Sequence, residues 1–485
     1  MLVPLEDATI DVAGGKAGTL GRLVRAGLPV PAGVVVPLAV YRAAAQRLDV
    51  PGLVRLGGPR AAQRALEAVD LPRMLVDELA RALVRLGDGP VAVRSSATGE
   101  DGATRSGAGQ HLSRLGVRGV DEVVDAVRAC WASLWSPEAV AYRRLDDDQD
   151  VGGPRAARDA VSSGGSREDL GSGGSRATAG FPGSRHASGS VGAPDAAGSR
   201  DAPETAVLVQ RHVDADVAGV LFTGRAPGDP VVVEASWGLG ESVVGGHVTP
   251  DRHVVDAAGA VDTVVGAKVT RADRAGASVV RTAVPDGLAG ARCLDDAAVR
   301  GLAGLGRDLA ALLGGPQDVE WALAGGVVHV LQARPVTAGL PGVPGRGGDA
   351  AGAGGSVGGA PPGGGPAAAA PDEQAAGAGD VLVGVPGSRG VRRGTVRVVA
   401  GPEGFAAVRP GDVLVCRFTD PAWTRLFGVV AAVVTQTGGV LSHAAVVARE
   451  HGIPAVLAVP TALDALRDGE VVEVDGSAGT VRRVR

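Results

Sequence analysis

One histidine stands where a loop enters a helix, a position in which an imidazole can do covalent chemistry. An apolar run at 429–434 predicts a buried strand, and two glycines turn the chain after it. Residues 444–450 then predict a helix that Gly452 ends, so His443 meets the unpaired N–H groups and the positive dipole end. A neutral imidazole there could attack a bound phosphate and carry the phosphoryl group. The alternative is a structural histidine that caps a turn.

Two basic residues are placed where they could contact phosphate. A Gly-Gly pair predicts a loop before a helix at 17–26, and Lys16 would point its charge at anything bound over the helix start. Residues 91–93 predict a strand with Arg94 at its end and serine hydroxyls in the following loop. A guanidinium fork there can grip phosphate oxygens bidentately. The alternatives are an ordinary glycine turn for Lys16 and a surface ion pair for Arg94.

A predicted hairpin carries an acidic residue and an amide residue opposite each other. Strands at 319–322 and 327–332 are joined by a Gly-Gly turn, so Glu320 and Gln332 could face each other. A carboxylate and an amide oxygen suit Mg²⁺, a hard cation that also takes phosphate oxygens and water. Arg334 lies two residues past Gln332 and therefore on the same face of the strand. The alternative is a plain cross-strand polar pair.

These residues stand in longer strings, TQTGGVLSHAAVVAREHGIPA, VAGGKAGTLG, VRSSATGED, QDVEWA and LQARPVT. The strings closely resemble those of the phosphoenolpyruvate-utilising enzymes, which include phosphoenolpyruvate synthase, pyruvate phosphate dikinase and rifampin phosphotransferase. The resemblance implies an α/β multidomain fold. It implies an N-terminal ATP-grasp-type nucleotide-binding domain and a C-terminal swivelling β/α phosphohistidine domain.

The resemblance also implies roles for the site residues. It makes His443 the phosphorylated residue; the ATP contacts are Lys16, Arg94, Glu241 and Arg334, and the Mg²⁺ ligands are Glu320 and Gln332. Glu241 ends the string GLGE, which could alternatively be a hairpin turn. Two positions depart from the family. Gly107 replaces a phenylalanine in the lid over the nucleotide, and Leu441 replaces a threonine that is regulatory in the synthase and the dikinase.

Composition divides the chain into domains. We expect a nucleotide-binding domain at 1–337, interrupted at 146–204 by a stretch of Gly, Ser, Ala, Arg and Asp that lacks large apolar residues. Such a stretch cannot bury enough apolar surface to offset its ordering entropy, so it is predicted to be a disordered insertion. Residues 338–380 are mostly Gly, Ala and Pro and predict a linker, and 381–485 would form the phosphohistidine domain.

Composition also limits the classes of function. The net charge of −5 argues against a nucleic-acid or membrane-surface binder, and no targeting segment or long uncharged apolar run is visible. Three cysteines, Cys130, Cys293 and Cys416, have neither metal-ligand nor disulfide-framework spacing. Reduced thiols are typical of cytoplasmic proteins, so we expect a cytoplasmic location.

The resemblance predicts an ATP-dependent phosphotransferase that phosphorylates His443, releases AMP and passes phosphate to pyruvate or another small molecule. Neither the pyruvate-binding barrel of the synthase nor the antibiotic domain of rifampin phosphotransferase is recognisable. We therefore expect a separate partner protein to bind the acceptor, and the resemblance also suggests a homodimer. The alternatives are a rifampin phosphotransferase-like modifier of a small molecule and a non-catalytic, ATP-binding regulator.

Overall fold

The computed structural model describes residues 1–98, 112–136, 139–140, 203–226, 228–336 and 381–484, all within one compact unit. The predicted linker, Gly107 and nearly all of the predicted insertion lie outside the described residues. Within the described residues, no helix is long and apolar enough to cross a membrane.

The N-terminal part packs helices on both faces of an antiparallel five-stranded sheet, with strand order β1-β2-β5-β3-β4. The strands are β1 Val3–Pro4, β2 Gly33–Val36, β3 Val91–Ala97, β4 Ser113–Val117 and β5 Thr205–Arg211. The helices are α1 Ile10–Arg25, α2 Leu38–Arg47, α3 Val50–Gly57, α4 Pro59–Glu67, α5 Arg73–Arg85 and α6 Gly119–Ser133. Successive side chains of β2 point to opposite faces of the sheet. Val35 packs with α1 on one face, while Val34 and Val36 pack with the other helices on the second face.

A second antiparallel sheet follows, with strand order β13-β12-β6-β7-β8-β9, beside a separate hairpin of β10 and β11. Its strands are β6 Val217–Phe222, β7 Val231–Trp237, β8 Asp251–Val255, β9 Val261–Val264, β12 Gln317–Ala324 and β13 Val327–Pro335; the hairpin strands are β10 Thr270–Ala275 and β11 Ser278–Ala283. The helices are the short α7 Glu241–Val244 and α8 Asp296–Leu313. Asp295 caps the start of α8 through the Ala298 N–H, and Gly314 ends it with φ of 86°. Helices α1 and α8 share one apolar core with this sheet.

The C-terminal part is an eight-stranded mixed sheet with strand order β14-β21-β20-β16-β17-β18-β19-β15. Its strands are β14 Val381–Val383, β15 Val385–Ser388, β16 Val391–Val398, β17 Val413–Cys416, β18 Ala432–Thr435, β19 Ala455–Leu457, β20 Val471–Asp475 and β21 Thr480–Arg483. The helices are α9 Thr424–Phe427, α10 His443–His451 and α11 Ala462–Ala465. Parallel pairing of β16 through β19 places α10 as the crossover between β18 and β19.

Several sequence predictions are confirmed. The region 39–85 is helical with breaks, the strands near 207, 218 and 231 are present, and the hairpin turns at Gly325 and Gly326. Gly452 ends α10 in the left-handed conformation, with φ of 63°. Trp131 is fully buried, as expected of a core residue in a protein with few aromatic side chains.

Three local predictions are wrong. Arg94 is not at a strand end, because β5 pairs with the whole of β3 and the serines after Arg94 lie in the strand. The chain before Lys16 is not a simple loop, because α1 begins at Ile10 and is only broken at Gly14. The strand predicted at 429–434 begins at Ala432, because the two preceding valine N–H groups bond back to the end of α9.

Candidate active site

His443 is the first residue of α10 and is buried, with 7% of its surface exposed. Its Nδ1 lies 2.9 Å from Thr419 Oγ1, and its Nε2 lies 3.3 Å from Thr424 Oγ1. Burial lowers the pKa of His443 to about 4, so the ring is neutral near pH 7. A neutral imidazole with one lone pair free of a proton can act as a nucleophile.

The two nitrogens of the His443 ring differ in their surroundings. The bond to Thr419 is fully buried, whereas the longer contact with Thr424 is only partly buried. The ring of Phe427 stands edge-on to the imidazole, with ring centres 6.2 Å apart. Nε2 is therefore the nitrogen that an incoming group can reach more easily, and Thr419 is suited to hold the opposite side of the ring.

Arg94 joins the two residues predicted to bind a metal. Its Nη2 lies 3.1 Å from Glu320 Oε2 and 3.1 Å from Gln332 Oε1, and its Nη1 donates to the Leu331 carbonyl at 2.7 Å. The register pairs Glu320 with Gln332 and skips Leu331, so a β-bulge turns that carbonyl toward the guanidinium. The side-chain oxygen atoms of Glu320 and Gln332, on two neighbouring strands, thus both contact Nη2 of the Arg94 guanidinium.

Arg334 faces Asp318 directly across the same pair of strands. The guanidinium donates through Nε to Asp318 Oδ2 at 2.7 Å, and both groups are largely buried. Burial alone would lower the pKa of Arg334, but the Asp318 carboxylate more than offsets this and raises it, so Arg334 stays charged. Arg334 therefore continues the polar row of Glu320 and Gln332 along the strands.

Lys16 lies immediately after the break in α1 and is buried. Its Nζ lies 3.2 Å from the carbonyl oxygen of Ser95, the neighbour of Arg94 on β3. The break itself is filled by the hydroxyl of Ser96, which donates to the Ala13 carbonyl and accepts from the Ala17 N–H. The ammonium group is thus fixed against the strand that carries Arg94.

Glu241 begins the short helix α7 and is exposed. It lines a cavity of about 420 Å³ together with Ser113, Arg114, Glu122 and Asp125. Ser113 connects this cavity to Arg94, because its Oγ lies 3.4 Å from Arg94 Nε. The structure therefore brings Arg94, Glu320 and Gln332 into direct contact, while Glu241 lines a cavity that is linked to that cluster through Ser113.

The His443 side chain contacts residues of its own part of the chain, but its helix extends toward Arg334 and Asp318. Glu450, in the last turn of α10, acts electrostatically on Arg334, and Arg449 acts on Asp318. An α-helix rises about 1.5 Å per residue, so His443 lies about 10 Å along the helix from Glu450.

The histidine loop, residues 437–442, rests on the second sheet. The carboxylate of Glu234 on β7 accepts from the N–H of Val440 at 2.8 Å and from the N–H of Leu441 at 3.0 Å. Burial raises the pKa of Glu234 to about 7, against the lowering effect of the two N–H groups. The loop and the sheet are therefore joined by polar bonds in a buried place.

Sequence reasoning missed several residues of this site. They are Thr419, Thr424, Asp318 and Glu234. Asp318 lies two residues before Glu320 in the string QDVEWA, so this short spacing was a usable signal. Thr419 and Thr424 lie 24 and 19 residues before His443 and outside the quoted strings. Glu234 offered only a lone carboxylate at the end of an apolar run, VVVE, in a segment expected to be buried.

Comparison with known proteins identifies the family. A sequence model described as pyruvate phosphate dikinase, AMP/ATP-binding domain, matches residues 10–341, and one described as PEP-utilising enzyme, mobile domain, matches residues 408–479. The chain belongs to the phosphoenolpyruvate-utilising enzyme family. It combines the family's ATP-binding domain with its mobile domain, in agreement with the mixed α/β fold predicted from the sequence.

Curated members of the phosphoenolpyruvate-utilising enzyme family resemble nearly the whole chain. The probable phosphoenolpyruvate synthase of Methanothermobacter thermautotrophicus is 30% identical over 97% of this chain. The phosphoenolpyruvate synthase of Aeropyrum pernix is 31% identical over 97%, and the probable synthase of Archaeoglobus fulgidus is 31% identical over 99%. The chain spans only 61%, 56% and 57% of the lengths of these relatives, respectively.

Proposed function

We propose that the chain is an ATP-dependent phosphotransferase of the dikinase type that phosphorylates itself on His443 and releases AMP. The observation that carries the proposal is the state of His443 at the start of α10. Its ring is neutral, and two threonine hydroxyls hold its nitrogens. The match to the AMP/ATP-binding domain supports ATP as the phosphoryl donor.

In the proposed step, Nε2 of His443 attacks the β-phosphorus of ATP. A nitrogen–phosphorus bond forms, the bond from the β-phosphorus to the oxygen shared with the α-phosphate breaks, and AMP leaves. The lone pair on Nε2 makes the attack, so the proton stays on Nδ1 and is donated to Thr419 Oγ1. The terminal phosphate is then lost to water or inorganic phosphate, which leaves a phosphohistidine.

The ATP phosphates would lie against Lys16, Arg94 and Arg334, with Glu241 contacting the nucleotide from the cavity that it lines. These cations are fixed by Ser95, Glu320 and Asp318, so they are held in position before a nucleotide arrives. Phosphate oxygens would replace those carboxylates as partners of the guanidinium groups, which suit bidentate contact.

The oxygen atoms of Glu320 and Gln332 fit a magnesium ion. Both converge on one point, which Arg94 Nη2 now fills, and a carboxylate with an amide oxygen is a donor set that Mg²⁺ accepts. Within the described residues, no group of three or more His, Cys, Asp or Glu side chains could hold a metal. Mg²⁺ bound here would take its other ligands from phosphate and water and would neutralise charge on the phosphates.

The acceptor is proposed from the relatives. Their name, phosphoenolpyruvate synthase, favours pyruvate over the other small molecules considered above. We place the nucleotide-binding domain at 1–337, the linker at 338–380 and the phosphohistidine domain at 381–485. Acceptor binding by a separate protein and homodimer formation stay predictions.

The test is incubation of the full chain with Mg²⁺ and ATP labelled at the β-phosphate. We expect acid-labile label on the protein and equimolar AMP, both of which His443→Ala abolishes. His451→Ala is the matched control, because it changes the histidine at the other end of α10. ATP binding without any labelled histidine would instead indicate the non-catalytic regulator.

A further inference from the structure

The histidine loop packs on the second sheet through a small apolar contact. Val440 and Leu441 are buried in one cluster with Val220, Phe222 and Val232 of β6 and β7. Two further hydrogen bonds lie at the edge of this contact. The Gly438 N–H donates to the Val248 carbonyl at 3.1 Å, and Thr437 Oγ1 donates to the Gly246 carbonyl at 2.7 Å.

A single carboxylate stands inside this apolar contact. Glu234 is 1% exposed and accepts the N–H groups of two consecutive loop residues, Val440 and Leu441. Burial of a carboxylate costs free energy unless hydrogen bonds compensate for it, and an apolar side chain would fit the surrounding cluster without that cost. The carboxylate therefore gives the contact a specific register that apolar packing alone would lack.

Both backbone polar groups of Val440 are hydrogen-bonded to side chains. Its N–H is bonded to Glu234 on β7, while its carbonyl accepts from the guanidinium of Arg449 on α10. Arg449 also donates to the Ala445 carbonyl at 2.9 Å, in the turn that begins at His443. Burial lowers the pKa of Arg449 to about 10, which still leaves it charged. The loop thus lies between the buried carboxyl group of Glu234 and a cation on its own helix.

Glycine is required where the loop meets the carboxylate. A Cβ on Gly439 would lie 2.3 Å from Glu234 Oε2, closer than real Cβ contacts. A Cβ on Gly246 would lie 3.3 Å from Ser442 Cβ and 3.8 Å from Phe418 Cβ, so the two backbones are also close at the edge. The shape of the loop is complementary to the position of Glu234.

We infer that Glu234 is the docking residue for the histidine loop, the group by which the ATP-binding part of the chain holds the mobile part in one register. Glu234 positions the loop and takes no part in the chemistry. The inference rests on the proposed function only in its consequence, namely that docking is required when His443 takes phosphate from ATP.

Docking can be measured without any catalysis. Gly246→Cys with Phe418→Cys places two Cβ atoms 3.8 Å apart, a separation typical of disulfides. In this background we expect Glu234→Gln to slow disulfide formation at least tenfold, because the amide presents an N–H to one of the loop N–H groups. Ser236→Ala is the matched control, a buried polar residue two positions along the same strand, and should leave the rate unchanged.

A second variant changes the histidine loop instead of β7. Gly439→Ala changes the loop and should slow cross-linking as Glu234→Gln does, even if one of the two variants folds poorly. Either single-cysteine variant should give no cross-link. An unchanged cross-linking rate in whichever of Glu234→Gln and Gly439→Ala is folded overturns the inference.

A third measurement separates this inference from the proposed function. Glu234→Gln should reduce β-phosphate labelling of His443 at least tenfold while the Kd for ATP stays within about twofold of the parent. Slowed cross-linking together with no label on the parent protein would support docking while refuting the phosphotransferase. A normal labelling rate in Glu234→Gln would overturn the inference that docking by this residue is required for phosphorylation of His443.

Discussion

The hydroxyl of Ser96 lies inside the break in α1, and Gly14 is the residue that lets the two backbones meet there. Ser96 Oγ donates to the Ala13 carbonyl at 2.7 Å and accepts from the Ala17 N–H at 3.0 Å, so it replaces the helical bond between those residues. Gly14 has φ of 74° and ψ of 175°, a backbone conformation that essentially only glycine adopts without strain. The contact fixes where Lys16 leaves the helix.

Gly14→Ala should destabilise the protein far more than Gly27→Ala. A Cβ on Gly14 would lie 2.1 Å from the Ser96 carbonyl oxygen, whereas Gly27 has a similar φ of 75° but nothing within 4 Å. We expect a loss of about 3 kcal/mol or more for Gly14→Ala and about 1 kcal/mol for Gly27→Ala, measured by urea unfolding. Equal losses in the free energy of unfolding would show that the close approach of Gly14 to Ser96 does not affect stability.

Ser96→Ala should cost more stability than Ser95→Ala, although both serines are fully buried. Removal of the Ser96 hydroxyl leaves a carbonyl and an N–H without their partner, with an expected cost of about 1–3 kcal/mol. Ser95 Oγ makes only a 3.4 Å contact with the Leu112 carbonyl, so its loss should cost less than about 1 kcal/mol. The same unfolding assay compares the two, and the reverse order would refute this account of the helix break.

The sequence predicted the residue types of the site better than their geometry. Glu320 and Gln332 were expected to face each other, and they do, but only because a β-bulge skips Leu331; the two-glycine turn alone would pair Glu320 with Leu331. Arg94 was misplaced at a strand end, because the pairing of β3 with β5 depends on residues more than a hundred positions later. Glu234 could not be found, because its partners are backbone groups of a distant loop, which carry no sequence signal.

Thr419→Val should slow phosphorylation of His443 more than Thr424→Val does. Thr419 holds Nδ1 at 2.9 Å and so favours the ring form in which Nε2 has the lone pair, whereas Thr424 is 3.3 Å from Nε2 itself. We expect about a 10–100-fold lower labelling rate for Thr419→Val, in the range typical of lost orienting contacts. NMR of the labelled protein should place phosphorus on Nε2; phosphorus on Nδ1 would contradict the assignment.

In Glu234→Gln, which has no carboxyl group to titrate at the docking contact, the remaining labelling rate should be nearly independent of pH from 8 down to about 5. Burial lowers the pKa of His443 from 6.5 to about 4, so the ring stays neutral where an ordinary histidine is protonated. The unfolded chain binds this proton and the folded chain does not, so the contribution of His443 to stability falls as pH drops from 6.5 toward 4. His443→Gln should therefore lose less stability than the parent between pH 7 and 5; a rate midpoint near 6.5 would contradict the burial effect.

Glu320→Gln should raise the Mg²⁺ concentration needed for half-maximal labelling about tenfold, because it removes the only charged ligand that we propose. Glu473→Gln is the control, since Glu473 pairs with Arg393 on the surface of the C-terminal sheet. A titration of labelling rate against Mg²⁺ distinguishes the two variants. The prediction fails if Glu320→Gln and Glu473→Gln give the same half-maximal concentration.

The burial of His443 would also govern the lifetime of the phosphorylated protein. A phosphohistidine is lost by hydrolysis, and water reaches a ring that is 7% exposed only when its surroundings open. Thr419, Thr424 and Phe427 surround the ring, so the rate of spontaneous loss of the label would report how often these neighbours move away from it.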